Sequence, residues 1–401
     1  MTDLNANRIK NYLQELCNHY PHRCTGSIGN NYAATYFLER AKELGFEVTT
    51  QDFDCIDWYS GEVLLTSRGL SYQASPSPWS LGTDSKAELI SISNLKELKE
   101  ENIQDKIVLL RGEIAKEQLM PKNFIFYNPE EHQEIIKLLE QKHPKAIITA
   151  TEKNPELVGA VYPFPLFEDG DFNIPSVYMT AEEGSKLLEQ VGRSVHLKFK
   201  TIRIPASGFN VIARKGNKNA KKIVISAHID TKLHTPGALD NATGVVIMLS
   251  MMELLKDYHG EHCIEFLAMN GEDYYAASGE MKYLAENEGK FSNIMLNINI
   301  DGAAYKGAKT GYSLMCDNPT SMEQIIEPLR TNPVFKEIEP WYQGDHMIFF
   351  MQGVPALTIT SDNLSYILTE IAHTEKDTID KVDHKILAET ARALALIIRK
   401  I

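Results

Sequence analysis

Val224-Ile-Ser-Ala-His228-Ile-Asp230, then Pro236-Gly-Ala-Leu-Asp240-Asn241, then Gly244-Val-Val-Ile-Met-Leu-Ser-Met-Met-Glu-Leu-Leu255, is the stretch whose reading decides the fold. The first run is a short apolar strand ending on a histidine. The second is a turn that delivers an aspartate to a helix start. The third is apolar nearly all round, as a helix buried against a sheet should be. Working outward, the chain after Pro205 and Gly208 reads as strand 222–227, helix 243–257, strand 263–269, helix 276–288, strand 294–300, a strand near 355–360 and a final helix 383–400. Such alternation predicts an α/β fold, a mostly parallel mixed sheet with helices on both faces.

Upstream the texture differs. Residues 5 to about 52 carry two helical stretches, the second over about 30–44 and stopped by Gly45, then the strand-like Phe46-Glu-Val-Thr-Thr-Gln-Asp-Phe53. From about 55 to 205 come short β-rich runs, among them Lys106-Ile-Val-Leu-Leu-Arg and Ile174-Pro-Ser-Val-Tyr-Met-Thr, with helices near 129–142 and 181–191. A chain of 401 residues exceeds what one core usually holds. The expected division is a discontinuous main domain, 1–53 with 207–401, and a smaller β-rich inserted domain, 55–205.

The formal net charge of −13 repels phosphate backbones and anionic lipid surfaces, which argues against nucleic acid or membrane as partner. The first ten residues lack the apolar core of a signal peptide, and no run is long enough to span a bilayer, so a cytoplasmic protein is expected. Five scattered cysteines without a C-x-x-C pair read as free thiols of a reducing compartment.

Functional groups of open α/β sheets gather at the carboxyl ends of the strands. His228 and Asp230 end one strand, Glu272 and Asp273 the next, Asp301 a third; Asp240 precedes the buried helix, and His373 lies in a loop near the C-terminus. This nitrogen and oxygen set, without thiolate, suits zinc, with cobalt or manganese also acceptable, in a catalytic rather than structural site. Two ions about 3.5–4 Å apart, bridged by a carboxylate, lower the pKa of a shared water to about 7. The expected split is His228 and Asp301 on one ion, Asp273 and His373 on the other, and Asp240 shared. Glu272 is left over as general base, and Asp230 is placed to orient the His228 ring.

Singly, each residue has a plainer account. His228 alone is a loop histidine, Asp240-Asn241 a capping pair, Glu272-Asp273 a solvated acidic turn. Asp301 at the end of an apolar strand is costly unless paired or on a metal. Asp377 is expected only to shape a turn, Arg23 to be structural and His234 to lie at the surface. Asp345-His346 divides evenly between support of the site and helix capping.

The ordered set A-H-x-D, P-G-A-x-D-N-x-x-G, G-E-D, I-D-G and H-T-x-x-D-T, over about 208–401, resembles family 28 of the metallopeptidases, the co-catalytic zinc aminopeptidases. The resemblance implies two zinc ions on His228, Asp240, Asp273, Asp301 and His373, Glu272 as base, and a peptide with a free N-terminus as substrate. It departs from the family at three places: Asp273 stands where a second glutamate is common, Ala372 where several members have tyrosine, and Glu280 where serine follows Gly279. The 55–205 insert is similar to a protease-associated domain. Carboxypeptidase, mononuclear aminoacyl cyclase and non-catalytic binding protein on the same scaffold are the alternative readings.

Overall fold

The computed structural model describes residues 6–154, 161–317 and 322–401. Two compact units emerge, Met1–Cys55 with Ser207–Ile401, and Ile56–Ala206.

The first unit is built on an eight-stranded mixed sheet in the order Glu47–Ser60, Thr201–Gly216, Cys263–Met269, Lys222–His228, Ile294–Ile300, Ala356–Ser361, Thr310–Met315, Phe335–Glu337. Its four middle strands are parallel, and antiparallel neighbours flank them at Thr201–Gly216 and Thr310–Met315. One face is apolar. Ile223, Ile225, Ile264, Phe266, Ile298 and Leu357 pack there with the helices Ala6–Cys17, Ile28–Glu43, Thr243–Leu254 and His384–Lys400. Thr243–Leu254 touches the other three helices as well as the sheet, which is why it is apolar all round. Each such side chain, fully buried, stabilises by about 1.5–3 kcal/mol.

The opposite face is polar at the same strands. Ser226 donates to Asn299 Oδ1 at 2.8 Å, Asn297 donates to Ser226 Oγ at 2.9 Å, and the buried Glu265 accepts from Arg214 Nε at 2.7 Å and Tyr283 OH at 2.9 Å. These bonds, made within the sheet or from the helix Ser278–Glu286, offset most of the cost of burying the groups, although Asn297 Oδ1 has no partner among the described residues.

Several strands were not legible in advance. Thr201–Gly216 contains Pro205 and Gly208, ordinary strand breakers; Gly208 is required because a Cβ there would lie 2.7 Å from the Phe53 ring. Thr310–Met315 carries a glycine and no strong alternation.

The second unit holds the short β runs and both expected helices, near 129–142 and 181–191. Thr83–Ile92, Ile107–Leu110, Ala146–Thr151 and Ser176–Thr180 form a parallel run within a mixed eight-stranded sheet, accompanied by the helices Leu95–Glu100, Glu130–Lys142 and Ala181–Leu188. Leu89, Leu109 and Ile148 build one core, and Val108, Leu110 and Ile147 a second. Alternate residues thus serve opposite faces. None of the five cysteines is in a disulfide. Among the described residues no helix is long and apolar enough to cross a membrane.

Candidate metal centre

Three middle strands end level with one another, since His228 pairs with Met269 and Ser226 with Asn299. His228 closes its strand, Asp301 follows Ile294–Ile300, and the turn Asn270–Asp273 follows Cys263–Met269. Asp240 arrives on the loop before Thr243–Leu254. His373 follows the helix Leu364–Glu370 with φ of 61°, a left-handed conformation uncommon outside glycine.

These five side chains converge. Asp240 Oδ1 lies 3.1 Å from His228 Nε2 and its Oδ2 lies 3.1 Å from His373 Nε2. Asp301 Oδ1 is 3.6 Å from His228 Nε2, and Asp273 Oδ1 is 3.3 Å from His373 Nε2. Three overlapping sets have donor atoms within 4.8 Å of one another: His228, Asp240 and Asp301; Asp240, Asp273 and His373; His228, Glu272 and Asp273. Asp240 belongs to the first two, one oxygen towards each histidine. Glu272 belongs only to the third.

Buried carboxylates sit behind the cluster. Asp230 accepts backbone N–H groups from Gly271 at 2.8 Å, Glu272 at 3.3 Å and Asp273 at 3.0 Å, and the Thr25 hydroxyl at 3.0 Å. Its Oδ1 is 3.8 Å from His228 Nδ1, beyond hydrogen-bond length; what Asp230 holds by hydrogen bonds is the turn carrying Glu272 and Asp273. Asp377 is likewise more than a turn residue. Fully buried, it accepts from Leu239 N at 2.7 Å and Asp240 N at 3.0 Å. Arg23, also buried, donates to the carbonyls of Pro236 at 2.6 Å, Gly237 at 2.9 Å and Ile229 at 3.0 Å. Asn241 joins the helix start to the sheet: its Oδ1 accepts from Gly244 N at 3.0 Å while Nδ2 donates to Ile300 O at 2.8 Å. Lys232 donates to Asp273 O at 2.8 Å. No local pattern singles out Arg23, Thr25 or Lys232 in advance.

Burial opposes the charged form of Asp240, yet His228 and His373 beside it hold its carboxyl well below the usual range. Burial pushes Glu272 well above the ordinary glutamate value, against His228 and with help from Asp273, Asp345 and Asp301. Asp377 is pushed up to about 7 by burial and the Asp240 charge. Such perturbed groups in one cluster are typical of functional sites.

The donor set fits metal. Both ring nitrogens of His228 and Oδ2 of Asp273 are buried without a hydrogen-bond partner among the described residues. An unpaired buried polar atom costs about 1–3 kcal/mol, and cations at His228 Nε2 and Asp273 Oδ2 would remove that cost at those two atoms. His234 is exposed, as expected. Asp345 makes no side-chain capping bond to the helix His346–Phe350, so the capping account of Asp345-His346 falls away.

Fold and cluster together define an α/β protein with a candidate metal centre at the carboxyl edge of its sheet. Residues 210–398 match the model of Peptidase family M28. Aminopeptidase YwaD of Bacillus subtilis is 26% identical over 236 residues, 56% of this chain and 51% of that protein. Carboxypeptidase Q of Rattus norvegicus is 23% identical over 248 residues, 58% of this chain and 50% of that protein. The structure of BSAP, described as a zinc aminopeptidase from Bacillus subtilis, superimposes with a TM-score of 0.76 at 19% identity, over 100% of this chain and 96% of that one. The chain spans about half the length of these two curated relatives where it matches them.

Proposed function

We propose that the protein is a metal-dependent exopeptidase, an aminopeptidase that removes N-terminal residues from peptides. The observation that carries this reading is the placement of Asp240, whose two oxygens face two different histidines, with Glu272 left outside those pairs but beside His228 and Asp273. His228 and Asp301 would hold one ion, Asp273 and His373 a second, and Asp240 both; zinc is the preferred metal, with cobalt or manganese compatible with the same donors. Bound there, the ions would supply Lewis acidity, polarising a peptide carbonyl and acidifying water.

The residues do the rest. Glu272, tied through its N–H to Asp230, takes the proton from the attacking water and returns it to the leaving amine. Asp230 fixes the turn that aims this carboxylate. Similarity to carboxypeptidase Q supports a second reading, attack at the peptide C-terminus. Arginine is the usual partner of a terminal carboxylate. Arg214, Arg330 and Arg399 pair instead with Glu265, Glu323 and Asp257, outside the cluster, which favours the N-terminal reading.

Glu272→Gln tests the assignment. It should lower release of an unblocked N-terminal residue by about 10²–10⁴-fold while metal content and fold remain unchanged. Elemental analysis of the replete protein should find about two ions per chain. A variant keeping more than about a tenth of the activity removes Glu272 from the base role. Cleavage confined to peptides with a free C-terminus, whatever their N-terminus, moves the protein to the second reading.

A further inference from the structure

Asn270 joins the Cys263–Met269 strand to the turn that carries Glu272, and no step of the mechanism above uses it. Its side chain is fully buried and meets that of Asn30, also fully buried, in the first turn of the helix Ile28–Glu43. Asn30 Nδ2 donates to Asn270 Oδ1 at 2.8 Å, and Asn270 Nδ2 donates back to Asn30 Oδ1 at 3.0 Å. The two amides close a reciprocal pair between residues 240 positions apart in the chain. Asn270 Nδ2 also donates to Phe209 O at 3.2 Å, and the backbone N of Asn270 donates to Asn210 Oδ1 at 2.9 Å. From the other side Gly279 presses on the carbonyl of Asn270: a Cβ there would lie 1.7 Å from that oxygen.

The same entry segment reaches the turn a second way. Thr25 donates its hydroxyl at 3.0 Å to Asp230, the carboxylate that collects the N–H groups of Gly271, Glu272 and Asp273. Apolar packing would hold these elements together without fixing their orientation, because hydrocarbon burial is non-directional. Paired amide bonds are directional, and they add no charge. That matters at this place, where Glu272 and Asp273 already bring carboxyl groups to His228 with Asp230 buried behind them. A carboxylate used as the fastener would put one more negative charge into a cluster out of water.

We propose that Asn30 and Asn270 are positioning residues, whose amide pair fixes the point from which Glu272 is aimed and so makes the entry segment 25–30 part of the catalytic apparatus. The hold on the turn stands on these bonds alone. Its consequence for turnover rests on the peptidase reading.

The test begins on metal-free protein, where turnover plays no part. N30A removes the entry-segment side of the pair. S27A is its control, because Ser27 Oγ caps the same helix, accepting from Asn30 N at 3.1 Å, yet bonds neither Asn270 nor Asp230. Both variants should lower the melting temperature. In native-state hydrogen exchange, N30A should speed exchange of the amides of Gly271, Glu272 and Asp273 by about tenfold relative to those of the Cys263–Met269 strand, and S27A should not. If N30A does not fold, N30D carries the test: it has the same shape and keeps the acceptor for Gly26 N and Asn270 Nδ2, but it loses the donor to Asn270 Oδ1. On the metal-loaded protein, at equal metal content, N30A should lower kcat by about tenfold with KM little changed, whereas S27A keeps the wild-type kcat. Exchange at 271–273 altered no more by N30A or N30D than by S27A overturns the hold on the turn. Faster exchange there with an unchanged kcat overturns the positioning role. Absence of turnover in the wild type defeats the peptidase reading and leaves the exchange result to decide the hold.

Discussion

The turn 270–273 and the loop 236–241 bring carboxylates to the same cluster, and they are held unequally. The turn continues directly from the Cys263–Met269 strand, and one buried carboxylate, Asp230, collects three of its backbone N–H groups. The loop begins eight residues beyond His228 and lacks that guidance. Asp377 collects two of its N–H groups, while Arg23 grips its carbonyls and Asn241 ties its end to the sheet. A segment leaving a strand needs one clamp; a free loop needs an anion for its amides and a cation for its carbonyls. The bracing is also crossed: Asp230 follows His228 in sequence but holds the turn of Asp273, whereas Asp377 follows His373 and holds Asp240.

The largest effect should come from Asp230→Ala. Three N–H groups lose their acceptor, two of them buried and that of Glu272 part-buried, each worth about 1–3 kcal/mol when left unsatisfied, so unfolding in urea should show a loss of about 3–9 kcal/mol. Activity should fall with it, because Glu272 and Asp273 lose their aim. Asp377→Ala comes second, at about 2–6 kcal/mol for two such groups. The reverse order, measured under one set of conditions, would break the comparison, since it would make the loop and not the turn the more dependent on its anion.

A third measurement sharpens it. Arg23→Lys keeps the charge but loses the planar fork that reaches several carbonyls at once. Arg23 meets the loop at Pro236 and Gly237, upstream of the N–H groups held by Asp377. A loss of about 1–3 kcal/mol is expected, and it should add to that of Asp377→Asn only if cation and anion clamp independently. A coupling energy above about 0.5 kcal/mol in the double-mutant cycle would show instead that they act as one device.

Much of this was legible before any coordinates. His228, Asp240, Asp273, Asp301 and His373 stand at strand ends or in loops bounded by clear periodic segments, and the α/β alternation predicts that such ends share an edge. The supporting contacts were not. Asp377 meets Leu239 across 138 residues and Arg23 meets Gly237 across 214, separations that no local pattern encodes. Asp377 therefore read as a turn residue. In the insert the strands and the helices near 129–142 and 181–191 were legible, but not the order in which the short apolar strands pair, because a short apolar run carries no information on its partner.

The smallest effect, and the finest probe of the loop, is Asn241→Ala. Asn241 is fully buried and serves two masters: Oδ1 takes the N–H of Gly244 at the start of Thr243–Leu254, and Nδ2 reaches the carbonyl of Ile300, one residue before Asp301. Removing the acceptor leaves one helix N–H unsatisfied, and removing the donor leaves one strand carbonyl with a lost partner. Loss of a cap alone costs about 0.5–2 kcal/mol, and the carbonyl adds about 1 kcal/mol, so a total near 2 kcal/mol is expected. The carbonyl bond is the one that concerns the cluster, because it ties the residue after Asp240 to the residue before Asp301 and so sets the spacing of two carboxylates that both face His228. Asn241→Asp separates the two roles, keeping the acceptor for Gly244 while losing the donor to Ile300. If Asn241→Asp matches Asn241→Ala in lost metal affinity but retains more stability, the carbonyl bond sets the spacing. If it retains metal affinity as well, the helix cap alone accounts for Asn241, and the loop is held at Asp240 by Asp377 and Arg23 without it.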